Sequence, residues 1–275
     1  MRTFGSRLRQ HLTKAFFSSY SMPEISIKAE PILILGHFVL TNSYLLSLVT
    51  FILLLATAFA LKGKMALIPG KLQSVFELLT EQILGLMDGL LGDRRKSEKY
   101  FPVVATVFLF ILISNWLGLL PGVGSLTIRE AGEGSKMISM FRSPGADLNF
   151  TLALALVAQL AVQLFGILAL GFKKYANKFF TLKNPIYTFV GLLELLSEFV
   201  KVVSFSFRLF GNVFAGEVLL GIVGFLAPYF IPLPFLFLET FVGFIQAFIF
   251  SMLTLVFIAM SVTDHEEHEA HELAH

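Results

Sequence analysis

Apolar residues along this chain fall in long, nearly unbroken runs rather than in alternation. The runs from about Phe38 to Leu61, from about 101 to 120 and from about 149 to 171 each hold roughly the ~20 residues a helix needs to cross a hydrocarbon core. Lys62, Gly63 and Lys64 stop the first. Pro121 and Gly122 break the second, with Trp116 suited to the headgroup level, and Lys173 and Lys174 close the third. Residues 186–227 form a longer helical stretch studded with polar groups, and Pro228, Pro232 and Pro234 turn it into a last span ending near Val262. Between the first two spans, residues 65–99 read differently. There GKLQSVFELLTEQILGLMDGLLG sets apolar residues at helical spacing around Gln73, Glu77, Glu81 and Asp88, which predicts an interfacial helix. No segment has the short alternation of a membrane barrel. The expected fold is an all-α integral membrane protein of about five transmembrane helices plus an interfacial helix.

Composition agrees with that class: 56% of the 275 residues are hydrophobic and 15% charged, where a soluble domain is about a quarter charged. A net charge of +2 is too small to argue for nucleic acid, and the basic residues sit at span ends. The chain has no cysteine, which excludes a disulfide framework, a thiol nucleophile and a thiolate metal site. Lysine and arginine number seven and four in the 62–100 and 172–185 connections, against three and none in 121–148 and 228–234. The positive-inside rule therefore puts the first pair, and the C-terminus, in the cytoplasm. The basic N-terminus, with Arg2, Arg7, Arg9 and Lys14, disagrees unless residues 1–23 lie on the membrane surface or are a cleaved targeting segment. Three regions follow: the tail 1–23, a membrane domain 24–263, and an acidic, histidine-rich tail 264–275. His265, His268, His271 and His275 recur at helical spacing, but the interleaved Asp264, Glu266, Glu267, Glu269 and Glu272 favour a solvated tail over a metal site.

The chemistry is concentrated in polar residues inside the spans. Arg208 stands in the middle of SFSFRLFGNVFAGEVLL, residues 204–220, where a central arginine costs at least ~2.5–3.5 kcal/mol and cannot snorkel to a nearby end. On a helix turning ~100° per residue, Glu194, Lys201, Ser204, Asn212 and Ala215 fall within about 40° of it, a polar-or-small stripe that should face water or a partner. Glu217 points to the opposite side. Glu239 and Gln246, seven apart in the last span, share a face that could meet Glu217; Gln246 and Asn212 serve equally well as interhelical hydrogen-bonding glue.

SFSFRLFGNVFAGE and FVGFIQAFIF resemble the motifs of subunit a of the F-type ATP synthase, the proton-channel part of its membrane stator. SNWLGLLPG, GADLNFTLALAL and EISIKAEPILILGHFVLTNS are similar to flanking motifs, so that the resemblance covers about residues 24–263 in order. It implies that Arg208 faces the proton-carrying carboxylate of a rotating c-ring, with Asn212 and Gln246 as polar neighbours. It further implies that Glu217 and Glu239 belong to the half-channel through which protons enter during synthesis, and that Glu194, Lys201 and Ser204 lie toward the cytoplasmic exit. Asp147 and Asn149 match an acidic loop-to-helix motif. Some members have histidine at one of the two glutamate positions; here a pair of carboxylates could share one proton. The implied partners are the c-ring, the subunit b peripheral stalk, the soluble F1 sector and the lipid bilayer, with no nucleic acid. The resemblance also implies two long, tilted C-terminal helices against the ring, no catalytic activity in this chain alone, no cofactor or metal, and protons in preference to sodium as cargo. A bacterial inner membrane is the expected location, a mitochondrial inner membrane the alternative. The rival function is a secondary transporter that clamps a carboxylate substrate with Arg208; it predicts halves with related hydropathy, which the sequence lacks.

Overall fold

The computed structural model describes residues 29–35, 38–63, 69–120, 123, 126–129, 137–179, 185–227 and 230–263. The tails 1–23 and 264–275 lie outside the described residues, as do Lys64, Pro121, Gly122 and Pro228. Among the described residues five helices are long and apolar enough to cross a membrane, the number expected from the hydrophobic runs.

The first differs from expectation at its start. Phe38–Thr41 is a strand, β2, paired antiparallel with β1 (Pro31–Leu35), and helix α1 begins only at Asn42 and runs to Lys62. The Thr41 hydroxyl accepts from the Tyr44 amide and caps the helix, which is why the apolar run divides there. The interfacial helix α2 spans Lys71–Leu91 and ends at Gly92, whose φ of 66° suits glycine and whose N–H closes on the Asp88 carbonyl. Asp93 then caps α3 (Arg94–Leu119) by accepting from the Arg95 amide. Residues 94–99, expected in the interfacial segment, are thus the opening turns of the second membrane helix. Pro102 lies within α3 without ending it, and the Thr106 hydroxyl donates to its carbonyl at 2.6 Å.

After a short hairpin, β3 (Thr127–Arg129) and β4 (Met137–Ser139), a 3-10 turn at Pro144–Ala146 leads into α4, Leu148–Leu170. Asp147 caps it through the Asn149 amide at 3.0 Å and accepts from the Ser43 hydroxyl at 2.6 Å. One aspartate therefore joins the starts of α1 and α4, which is the structural part that Asp147 and Asn149 play. A short helix α5 (Phe172–Phe179), absent from the sequence reading, precedes the two longest helices, α6 (Pro185–Leu226) and α7 (Pro232–Thr263).

The core is where α3, α4, α6 and α7 meet, around Phe108, Ile111, Ala158, Leu209, Phe250 and Ile258. The packing of α3 on α7 is the most extensive. It is fastened by Asn115 Nδ2 donating to the Gly243 carbonyl and Trp116 Nε1 to the Thr240 carbonyl, both at 3.2 Å. A Cβ on Gly243 would sit 3.2 Å from that of Asn115, so the small residue sets the approach of the two backbones. Between α4 and α6 the buried hydroxyls of Thr151 and Ser206 share a hydrogen bond at 3.1 Å.

Candidate functional site

α6 carries most of the candidate residues, and its 42 residues extend about 63 Å at 1.5 Å per residue, twice the ~30 Å of a hydrocarbon core. Its two sides differ. Val202, Phe205, Ser206, Leu209 and Gly216 are buried against the bundle, whereas Ser204, Arg208, Gly211, Asn212 and Ala215 are exposed in a row. That row is the stripe anticipated from the 100° rule, and no helix among the described residues covers it. The Arg208 guanidinium carbon stands 6.0 Å from the Phe205 ring centre, and no carboxylate among the described residues pairs with it. One turn away Asn212 Nδ2 donates at 2.7 Å to Oε1 of Gln246 on α7. Gln246 is 2% exposed, and its Nε2 finds no acceptor among the described residues.

Glu217 lies beyond, on the other side of α6, and its partner comes from a loop. Arg142, buried just ahead of the 3-10 turn, donates through Nε to Glu217 Oε2 at 3.2 Å. The turn can reach that depth because Gly145 has no side chain: a Cβ there would meet Val213 of α6 at 2.8 Å. Glu239 arrives from α7 with its carboxylate against Gly216, at a place where a Cβ would collide with it. Glu239 thus meets α6 at the residue next to Glu217. The proton-sharing contact anticipated between them is not formed: Glu217 is turned to Arg142, and no hydrogen bond links the two carboxylates. Two neighbours that sequence reasoning missed, Arg142 and Gly216, make this arrangement. Arg142 had counted only as one loop charge, and Gly216 carried no signal beyond its place beside Glu217.

Toward the Lys-rich end of α6 a third group gathers around Glu198. Lys201 Nζ donates to Glu198 Oε1 at 2.8 Å; Gln163 Nε2 of α4 donates to Oε2 at 2.9 Å, and Gln159 Nε2 of α4 donates to the same oxygen. Tyr175 of α5 donates to Gln163 Oε1, in a slot opened by Gly166, where a Cβ would meet the tyrosine ring at 2.6 Å. The Lys201 ammonium also lies 4.6 Å from the ring centre of Phe257 on α7. The carboxylate at the centre of this network is Glu198, not Glu194. Glu194 is half-buried on α6, fourteen residues and about 21 Å of axial rise from Arg208. Ser204 stays on the exposed stripe. Glu198 escaped the sequence reading because it falls about 80° from Arg208, outside the 40° window. Its signal was an opposite charge three residues before Lys201, at helix-neighbour spacing.

Residues 43–259 match the sequence model of a family described as ATP synthase A chain. The chain is similar to proteins named ATP synthase subunit a: that of Campylobacter concisus is 34% identical over 217 residues, covering 78% of this chain and 88% of that protein. That of Moorella thermoacetica is 34% identical over 231 residues, 84% of this chain and 95% of the relative, and that of Mycobacterium marinum 33% over 239 residues, 85% and 92%.

Proposed function

Because the chain belongs to the ATP synthase A chain family, we propose that it is the proton-translocating stator subunit of an F-type ATP synthase and that Arg208 separates two half-paths beside a rotating c-ring. The observation that carries this reading is the exposed stripe on α6: a cation in an apolar span with no acid paired to it among the described residues, on a face that no described helix covers. An arginine there costs free energy until an acid arrives, and a ring carboxylate is an acid delivered from outside. Its guanidinium does not lose its proton at accessible pH, so it holds a passing carboxylate ionised without conducting protons itself.

Glu194 lies toward the exit half-path. Glu217 and Glu239 serve the uptake side, reached past Arg142, and α6 continues on the other side toward the Lys-rich connections, read as cytoplasmic. Asn212, bridged to Gln246, borders Arg208 between them. A ring carboxylate takes a proton from the uptake path, travels through lipid neutral, and releases it near Lys201 and Ser204. The driving term is about 2.3 kcal/mol per charge per 100 mV, so any bypass around the ring wastes it. The cargo is the proton rather than sodium, and the chain performs no nucleotide chemistry, which falls to the soluble F1 sector. The c-ring packs on the stripe, with subunit b and lipid around the remaining apolar faces. A helix of this length lies tilted in the membrane of a bacterium, with the C-terminus in the cytoplasm.

The test is ATP synthesis and passive proton leak in liposomes holding the assembled complex, wild type against Arg208→Ala. Loss of synthesis with intact assembly and increased leak is the expected result. Unchanged coupled synthesis would remove Arg208 as separator.

A further inference from the structure

The stripe that carries Arg208 also carries a second cation. Lys201 is seven residues away, about 20° round the helix and roughly 10 Å along it, close enough for a flexible lysine arm to meet the same approaching carboxylate. Two cations on one track would give that carboxylate two places to rest. Yet the Lys201 ammonium does not lie free on the track. It is drawn sideways to Glu198, about 60° further round the helix toward the buried side, and sits over Phe257 with its side chain 21% exposed. Glu198 is itself fixed from a different helix. Gln159 and Gln163 of α4 both donate to Oε2, leaving Oε1 for the lysine, and Tyr175 of α5 holds Gln163 in the orientation that presents its N–H. The two glutamines are in consecutive turns of α4, so that both amides reach one oxygen.

We propose that Glu198 is a positioning residue that sequesters the Lys201 ammonium from the ring-facing stripe, leaving Arg208 as the sole cation there to meet the ring carboxylate. The proposal rests on the stator reading given above. Glu198 on this account neither carries protons nor touches the ring; it acts by where it keeps another residue's charge. Neutralising it frees Lys201 to swing back onto the stripe, where it holds the ionised carboxylate past its release point and slows rotation.

The test uses four variants of the whole complex in liposomes: E198Q, K201Q, E198Q/K201Q and R208A, with synthesis expressed per assembled complex. E198Q should lower synthesis by about tenfold, the factor expected when a misplaced charge holds the carboxylate by one pK unit. The double variant should match K201Q alone and stand well above E198Q, because the harmful lysine is gone. A purely structural glutamate, or one that conducts protons, would leave the double variant as impaired as E198Q, and that result overturns the proposal. Unimpaired E198Q overturns it as well. If E198Q does not assemble, E198D, one methylene short of the ammonium, takes its place, and K201Q must relieve its defect. R208A separates the two levels of inference: if it retains coupled synthesis the stator reading fails and this proposal with it, whereas lost synthesis together with an unrescued double variant defeats this proposal alone.

Discussion

The two ends of α6 solve the same problem in different ways. At one end Glu217 takes its cation from a distant part of the chain, a loop arginine delivered by a turn packed on Val213. At the other, Glu198 takes its cation from its own helix, three residues away, and its neutral donors from α4. Midway, Arg208 has no acid at all among the described residues. A carboxylate placed in a membrane is satisfied internally wherever the chain can do so. Arg208 is left without an acid among the described residues, and on the stator reading proposed above that is where the ring carboxylate arrives.

That contrast can be broken most forcefully at Gly216. A Gly216→Val change puts a side chain where the Glu239 carboxylate lies, and overpacking of this kind costs about 1–3 kcal/mol. ATP-driven proton pumping should fall on the order of tenfold. Adding Glu239→Ala should restore part of the thermal stability in detergent that Gly216→Val removes, by emptying the space; no relief would mean that the two residues do not contend for it. Next comes the loop partner. Arg142→Ala leaves Glu217 without its cation, but Glu217 is 37% exposed, so the effect on synthesis should be nearer fivefold than the large penalty of a fully buried pair. Arg142→Lys should fall between, and normal rates in Arg142→Ala would show the ion pair to be incidental to uptake. The smallest effects belong to the fasteners. Ser43→Ala, which removes the hydroxyl donor to Asp147, should lower thermal stability in detergent by about 1 kcal/mol. Ser206→Ala at the α4–α6 contact should cost about 0.6 kcal/mol. Identical melting of both variants and wild type would remove these bonds from the account of how α6 is held.

Much of the fold was legible because its cause is one-dimensional. Whether a run of residues can cross a membrane depends on length and apolarity, and all five crossings follow from that. Element edges were less legible. Thr41 and Asp93 end one element and start another through side-chain caps inside otherwise continuous segments, so that Phe38–Thr41 left the first span and Arg94–Lys99 joined the second. The exposed row of Ser204, Arg208, Asn212 and Ala215 was readable too, since residues on one helix keep a fixed angular relation whatever surrounds them.

What periodicity cannot supply is the partner on another element. That Glu217 meets Arg142 rather than Glu239, and that Glu239 instead fills the space beside Gly216, depends on how deeply a turn between α3 and α4 inserts and how closely α6 and α7 approach. The gathering of Gln159, Gln163 and Tyr175 around Glu198 is of the same kind. The sequence by itself determined which side chains had to find a partner, because the cost of a charge in hydrocarbon belongs to the residue and its depth. Only the tertiary structure decided which partner each one found, because a hydrogen bond is a matter of ångströms between atoms that the chain brings together from far apart.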